Sequence, residues 1–394
     1  MKKKEIYQAL GLMSGTSMDG VDASIVHSKD GTFIDSPFNF YNKYFKYDKD
    51  LRLKLTNLRN KINSSNDLKK YSNELKLLEK EITLFHAKVV NEMIKSKPKE
   101  YEPNLIGFHG QTIFHNPDEK ISIQLGDGKL LSQLTKKTVV YNFRENDLKN
   151  GGGGAPLTAI FHNCMVNRHF QKKWPILVLN IGGIANLTST TIYPLPEVEG
   201  SEKKREARLF AADIGPGNCL IDEWIRKNSK YEYDAGGLIA KSGKVNELIL
   251  NQSLENFGRS YKKSFDIKDF DISFVRDLSL EDGAATLTHF TAKLMSNGLD
   301  SIMKAYDCGD VISKALCYVC GGGRKNNYLM DLLKQNLNLK DFASIDDVGI
   351  DGDFVESLAF GYLAIKSYLG LPISFPNTTG CKEPSTGGVI VRSF

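Results

Sequence analysis

A chain of 394 residues that is 41% hydrophobic carries enough apolar material for two domains, since domains usually run to about 100–200 residues. Its 52 basic and 47 acidic residues give a net charge of +5, and apart from Lys2–Lys4 and Lys203–Arg205 the two signs are interspersed, which argues against a nucleic-acid-binding surface. No apolar run approaches the ~20 residues that span a bilayer, and the N-terminus meets Glu5 and Gln8 where a signal peptide would hold its apolar core; the expectation is a soluble, cytoplasmic protein with no membrane partner.

Residues 6–28 predict two β segments around a turn, in the stretch "GLMSGTSMDGVDASIV", and "GTFIDSPFNFYNKYFKY" continues as strand and loop. From Asn66, the apolar residues Leu68, Tyr71, Leu75, Leu78, Ile82, Phe85 and Val89 recur at spacings of three and four, one face of a long amphipathic helix packed on its own domain. "NLIGFHGQTIFH" reads as a buried strand running into a polar loop, and the next stretch, through Arg144, as strand, short helix and strand. Glycine is densest at "NGGGGAPL", Asn150–Leu157, the candidate junction between an N-terminal lobe over 1–145 and a C-terminal lobe over 146–394, with the extreme C-terminus a candidate to return to the first.

A second β-turn-β unit spans Ile176–Tyr193, and the charged "PLPEVEGSEKKREARL" after it reads as an exposed, mobile loop. Helices are expected at 219–227, 281–306, 326–337 and 353–369. Between them "ALCYVCGGG" alternates like a strand. Its Cys317 and Cys320 have no second Cys or His pair at metal spacing, so they read as buried thiols, like the scattered Cys164, Cys219, Cys308 and Cys381, in place of a redox or zinc pair. Strands alternating with helices predict an α/β fold, and a glycine-rich β-turn-β unit opening each half predicts two duplicated lobes with a ligand cleft between them.

Backbone N–H groups lining a tight turn hold phosphate well, and glycine lets the backbone approach oxygen closely. Gly15, Thr16, Ser17 and Gly20 offer such a turn, with Ser14, Thr16 and Ser17 as added hydroxyl donors, Asp19 placed to hold Mg²⁺ directly or through water and Asp22 as a second choice. Taken alone, the turn is equally a tight hairpin with solvated polar side chains. Three more glycine turns follow strands: "NIGGIAN" with Gly182 and Gly183, "DIGPGN" with Gly215, Gly217 and Asn218, and "CGGGRKN" with Gly321, Gly322, Gly323 and Asn326. None matches the P-loop or the dinucleotide fingerprint, and four such turns in two halves fit a nucleotide gripped between lobes.

In their order along the chain, "GLMSGTSMDGVD", "HGQTIFH", "GGGGAPL", "NIGGIANLT", "DIGPGN", "CGGGRKNNYLM" and "GIDGDFVESLAFGYLA" resemble the anhydro-N-acetylmuramic acid kinase family, of the sugar kinase, actin and Hsp70 fold superfamily. The resemblance runs from about residue 7 to the C-terminus. It implies a two-lobed actin/hexokinase/Hsp70-like fold and an ATP- and Mg²⁺-dependent enzyme of peptidoglycan recycling. That enzyme opens the 1,6-anhydro bridge of its amino sugar with water and phosphorylates O6, giving N-acetylmuramic acid 6-phosphate. A homodimer is implied as well.

On this resemblance Asp213, at a strand end before "IGPGN", is the general base that deprotonates the attacking water; on the residues alone it could equally cap the turn. His109, Gln111 and Thr112 suit sugar hydroxyls and the N-acetyl group, while His115 is either part of that set or structural; no carboxylate accompanies the histidines, which argues against a metal there. Arg144 matches the lactyl carboxylate of the substrate, or else pairs with Asp147. Gly154, Ala155 and Pro156, with Leu157, would shape the substrate wall. The family sets the "CGGGRKN" segment against adenosine and its phosphates, with backbone contacts from Gly321–Gly323 favoured over Arg324 and Lys325. Glu356, an acid on an otherwise apolar helix, is read as catalytic, with a structural pairing as the alternative.

Two departures bear on fine specificity. Gly153 stands where family members commonly have Gln, and "SFDIKDF", Ser264–Phe270, stands where many have a Gly-Arg-Glu-Asp-Phe-like segment, leaving Lys263 or Lys268 to replace that arginine. A kinase of the same fold acting on another sugar would share the phosphate turns but not "HGQT" and "GGAPL". An Hsp70- or actin-like nucleotide-gated binding protein is the other rival; an Hsp70-like chain needs a peptide-binding domain after its nucleotide lobes, which this chain is not expected to have.

Overall fold

The computed structural model describes residues 6–29, 31, 40–169, 176–192, 207–258, 261, 264–305, 313 and 315–393. The expected mobile loop falls on 194–209, of which 194–206 lie outside the described residues, as do Lys2–Lys4, Lys203–Arg205, Lys263 and Cys308. Strand β1 (Ile6–Ser14) is buried continuously from Ala9, the pattern of a strand covered on both faces. It pairs antiparallel with β2 (Gly20–Lys29), which pairs antiparallel with β3 (Tyr41–Lys46). Helix α1 (Lys49–Lys61) starts at Asp48, whose carboxylate accepts the Leu51 N–H at 2.8 Å and so satisfies one orphan donor of the first turn.

The long amphipathic helix expected from Asn66 is two helices, α2 (Ser65–Lys70) and α3 (Ser72–Ser96), which part at Tyr71. The Ser64–Asp67 capping box starts the first, and the apolar face of α3 buries Leu78, Ile82, His86, Val89, Val90 and Met93. Strand β4 (Leu105–Asn116) runs parallel to β1, and its second half pairs with β5 (Ile121–Leu125). "HGQTIFH" is therefore strand where a polar loop was expected, because β5 satisfies its backbone even though its side chains look like those of a loop. Helix α4 (Gly128–Thr135), capped by Asp127, leads to β6 (Thr138–Tyr141), parallel to β4; α5 (Glu145–Lys149) and α6 (Ala159–His169) follow.

Strands β7 (Ile176–Ile181), β8 (Ile184–Ile192) and β9 (Ala207–Pro216) form a second antiparallel meander. Helices α7 (Cys219–Asn228), α8 (Leu238–Ser242), α9 (Glu247–Glu255) and α10 (Leu280–Ala305) precede β10 (Leu316–Cys320), which is parallel to β7. Cys317 and Cys320 are buried in β10 and not joined in a disulfide, and burial pushes the Cys317 thiol up. After α11 (Asn327–Asn336), β11 (Asp341–Ser344) adds parallel to β10; then come α12 (Val355–Tyr368), α13 (Pro376–Thr379) and β12 (Val389–Val391), antiparallel to β6.

The sheet orders are β12-β6-β4-β1-β2-β3, with β5 on β4, and β11-β10-β7-β8-β9. In both, the first strand of a three-stranded meander also pairs in parallel with a later strand, and that strand pairs in parallel with a further one. This repeated order is the duplicated α/β core expected from the two glycine-rich units.

The chain divides into two compact units, residues 1–169 with 353–394, and residues 170–352. The 145/146 boundary read from the glycine run falls inside the first unit. There, residues 150–154 form a loop tied to the C-terminal segment, with the Gly153 N–H donating to Thr379 O at 2.7 Å and the Lys382 N–H to Asn150 O at 3.1 Å. The returning segment includes all of α12, which packs on β1, β2 and β4. Gly11 makes that approach possible, since a Cβ there would collide with the Ser357 carbonyl. Among the described residues no helix is long and apolar enough to cross a membrane.

Candidate active site

In the first unit the turn after β1 is closed by the Met18 N–H donating to Gly15 O at 3.2 Å, with Met18 buried and left-handed at φ 53°. Its carbonyls are held from elsewhere: Gly15 O accepts Gln111 Nε2 at 2.9 Å, Thr16 O accepts Arg59 Nη1 at 2.9 Å, and Asp19 O accepts both the Tyr47 N–H and the Tyr44 hydroxyl at 2.9 Å. A trans peptide points its C=O and N–H in opposite directions, so tying down Gly15 O and Thr16 O turns the Thr16 and Ser17 N–H groups the other way. Both side chains there are exposed. This is a suitable seat for an anion.

Asp19 and Asp22 are half-buried, and Asp19 Oδ1 accepts the Ser17 hydroxyl at 2.5 Å. Among the described residues no three His, Cys, Asp or Glu side chains cluster as a metal site. That donor set suits Mg²⁺ shared between a carboxylate and nucleotide phosphates, the manner in which this ion is commonly bound. Gly20, expected at the phosphate, is instead required by packing, because a Cβ there would meet Phe45 O at 2.5 Å and the Tyr44 ring at 2.6 Å.

The expected sugar-reading residues of the first unit come together. Arg144 Nη1 donates to Gly154 O at 2.7 Å, and Nη2 lies 3.0 Å from His109 Nε2. His109 Nδ1 donates to Gly110 O at 2.8 Å, so the ring is neutral with Nε2 accepting; burial first, and then the Arg144 charge, hold its pKa well below the ordinary value. Asp147, the alternative partner for Arg144, accepts the Gly154 N–H at 2.7 Å and the Thr379 hydroxyl at 2.6 Å, so the Gly154 peptide is gripped at both ends. Ala155 is half-buried, Pro156 is buried, and the bond between them is cis.

Gln111 is 0% exposed and its Oε1 has no partner among the described residues. The Nε2 of His115 is likewise buried without a partner, while its Nδ1 lies 2.9 Å from Ser122 Oγ; burial and then Arg144 push this ring down to about 3. A Cβ on Gly154 would touch His115 at 3.4 Å, which puts His115 in the same cluster. Thr112 accepts from Gln124 Nε2 at 3.3 Å. Two buried polar atoms without partners, beside an arginine, suit a polyhydroxylated anionic ligand.

In the second unit Asp213 is 6% exposed near the end of β9, and its Oδ2 accepts the Phe265 N–H at 2.8 Å. The segment that departs from the family pattern thus anchors this carboxylate through its backbone, a contact that side-chain identity could not reveal. Asn186 faces Asp213 across the β8–β9 ladder and has a buried Oδ1 without a partner among the described residues. Sequence reasoning passed over it because it sits mid-strand.

The turns at 182–183 and 215–218 interlock: Gly217 N–H donates to Gly183 O at 2.9 Å and Asn218 N–H to Gly182 O at 2.7 Å. A Cβ on Gly217 would collide with Gly182 O, and Gly215 is buried against α10 at φ 147°, so these two glycines serve turn packing, while Gly182, Gly183 and Asn218 are half-exposed. In the third turn, Gly321 (φ 80°) and Gly323 press against Asn180 and Ile181, and of its three glycines only Gly322 is exposed, 4.0 Å from Asn218 Nδ2 by its hypothetical Cβ.

Asn326, expected at the nucleotide, is the N-cap of α11 and accepts the Leu329 N–H at 3.0 Å. Arg324 forks onto Asp346 at 2.5 and 3.0 Å and donates to Gly321 O at 3.0 Å. Burial raises the Asp346 carboxyl, but Arg324, the Gly352 N–H and the Ser344 hydroxyl outweigh it and bring it to about 2. Glu356 lies half-buried in the first turn of α12, in the first unit.

Residues 7–393 match the family model described as anhydro-N-acetylmuramic acid kinase. The chain is 50% identical over 395 residues to the anhydro-N-acetylmuramic acid kinase of Pelagibacter ubique, covering 99% of this chain and 100% of that protein. It is 38% identical to the one from Gluconobacter oxydans (96% and 98% covered) and 36% identical to the one from Brucella canis (98% and 99% covered). A ROK family glucokinase from Streptomyces griseus, solved with glucose and AMPPNP, aligns at 11% identity and TM-score 0.38 over 91% of this chain and 99% of that one. That likeness is remote, and the fold assignment rests on the repeated strand order. By its family-model match and by relatives that it covers almost end to end, the chain belongs to the anhydro-N-acetylmuramic acid kinase family.

Proposed function

We propose that the protein uses ATP to convert anhydro-N-acetylmuramic acid to N-acetylmuramic acid 6-phosphate, acting in the cytoplasm as a homodimer in peptidoglycan recycling. The observation that carries the reaction is the 50% identity to a kinase of that name over 99% of the chain. Asp213 takes a proton from water as the water oxygen bonds to C1. The C1–O6 bond breaks, and the electron pair left on O6 attacks the γ-phosphorus, releasing ADP. A buried carboxylate held by the Phe265 N–H suits that base, because it is oriented before substrate arrives. Arg144 would receive the lactyl carboxylate, with Gln111 Oε1 and the histidine cluster reading hydroxyl and amide donors.

The turn at 15–17 would seat phosphate through its N–H groups, and Asp19 would hold the Mg²⁺ that neutralises charge on the β- and γ-phosphates. In the second unit, Gly182, Gly183, Asn218 and Gly322 are the candidates for backbone contacts to nucleotide. Glu356 would be the alternative carboxylate base. Mass spectrometry of the product formed from ATP, the anhydro sugar and ¹⁸O water tests the reading. Label at C1 with phosphate on O6 is expected; ADP formation with glucose and none with the anhydro sugar would overturn it.

A further inference from the structure

Beneath the phosphate turn lies a buried polar chain that the reaction itself does not use. The Tyr47 hydroxyl lies 2.9 Å from Ser14 Oγ, Ser14 Oγ lies 3.3 Å from His86 Nε2, and His86 Nδ1 lies 2.8 Å from Ile82 O. Tyr47, Ser14 and His86 are 3%, 1% and 0% exposed and come from three places: the residue after β3, the end of β1, and the middle of α3.

The direction of every bond in this chain is determined. A carbonyl can only accept, so His86 Nδ1 carries the ring proton, and burial keeps the ring neutral by lowering its pKa to about 4. Nε2 is then an acceptor and takes the Ser14 proton. Ser14 Oγ, having spent its proton, accepts from the Tyr47 hydroxyl. The same Tyr47 donates its backbone N–H to Asp19 O at 2.9 Å. One residue therefore holds the turn where it leaves β1, through Ser14, and where it enters β2, through Asp19. The Tyr47 ring is braced edge-on by Phe85 at 4.9 Å, and the His86 ring rests against Phe108 at 4.8 Å.

We infer that Tyr47 is a positioning residue for the nucleotide, pinching both ends of the phosphate turn, with Ser14 and His86 fixing where its hydroxyl points. The inference rests on the reading of residues 15–19 as a phosphate seat. A fully satisfied buried network of this kind rigidifies what it touches, and backbone N–H groups bind phosphate well only when they are aimed before it arrives.

The test is Tyr47→Phe, which keeps the ring and the N–H to Asp19 and removes only the hydroxyl. Losing one buried hydrogen bond is worth about a five- to tenfold weakening, expected in the affinity for magnesium-AMPPNP by calorimetry and in KM for ATP. The affinity for the anhydro sugar should stay within about twofold, since the hydroxyl that is removed bonds Ser14 and no sugar-reading side chain. Because the hydroxyl acts through Ser14, adding Tyr47→Phe to Ser14→Ala should weaken nucleotide binding no further than Ser14→Ala alone. Unchanged nucleotide affinity in Tyr47→Phe, or equal weakening toward both ligands together with a large fall in Tm, would overturn the inference. Selective weakening toward nucleotide supports it whether or not the wild type phosphorylates the anhydro sugar, a failure that would strike the proposed reaction alone. A wild type that binds no nucleotide overturns both.

Discussion

The Arg144 guanidinium bridges Gly154 O at 2.7 Å and the unprotonated Nε2 of His109 at 3.0 Å, joining the glycine loop to β4. A lysine ammonium cannot span two acceptors in that planar fork. Arg144→Lys is therefore expected to raise KM for the anhydro sugar by about tenfold or more, with KM for ATP little changed. Steady-state kinetics with each substrate varied in turn decide it, and an unaltered sugar KM would remove Arg144 from the sugar site.

Asp213→Asn retains an oxygen to accept the Phe265 N–H but cannot take a proton from water. Substrate binding should survive while ring opening and phosphorylation fall together by roughly 10²–10⁴-fold. The anhydro sugar has no proton on O6, so a base acting on a sugar hydroxyl has nothing to remove. Wild-type turnover in this variant, measured by coupled ADP release, would transfer the role to Glu356.

Asp19→Asn leaves the Tyr44 and Tyr47 bonds to the Asp19 backbone intact, so the fold should hold. The expected change is a higher Mg²⁺ requirement and a fall in kcat of about tenfold or more, because charge stabilisation at the phosphates dominates phosphoryl transfer. A Mg²⁺ titration of turnover that superimposes on the wild type would rule out a role at the metal.

Five histidines carry a pH dependence, among them His289, whose pKa burial also lowers. His86, His115 and His162 have pKa values lowered by burial to about 4, 3 and 3, and His109 lies well below its ordinary value. In the unfolded chain each titrates near about 6.5. Below that pH the unfolded state binds more protons than the native one, so stability falls as pH drops from about 6.5 toward the folded values, by up to about 1.4 kcal/mol per pH unit per group. Tm should be flat above about pH 7 and decline steeply toward about pH 5. His162→Phe should make that decline shallower, and an unchanged slope would show that His162 is not held neutral.

Glycine turns at strand ends and the helices at 219–228, 280–305 and 327–336 were legible in the sequence, because close backbone approach and apolar periodicity each leave a residue-level mark. The strand nature of "HGQTIFH" was not, since its pairing with β5 depends on a partner and not on its own polar residues. Which glycines pack and which stay open was also hidden: Gly20, Gly217 and Gly323 read like Gly15 and Gly322 until their neighbours are known. Asp147, Tyr47 and Phe265 act through contacts 7, 33 and 52 residues away, and no local pattern announces such contacts.

The return of residues 353–394 to the first unit sets an order of assembly during synthesis. While the ribosome is making residues 176–352, the sheet of β1, β2 and β4 lacks α12, the helix that covers it through Gly11 and Gly107. The later-made but contiguous unit can close first, and the earlier-made one must wait, exposing apolar strands such as Leu10–Leu12 and Ile106–Phe108 for most of translation. Chains truncated just before α12 and released from the ribosome are expected to resist protease over 207–258 and 315–352 and to be cut within 6–169. Protection of the N-terminal segment at that length would show that β1, β2 and β4 fold without α12.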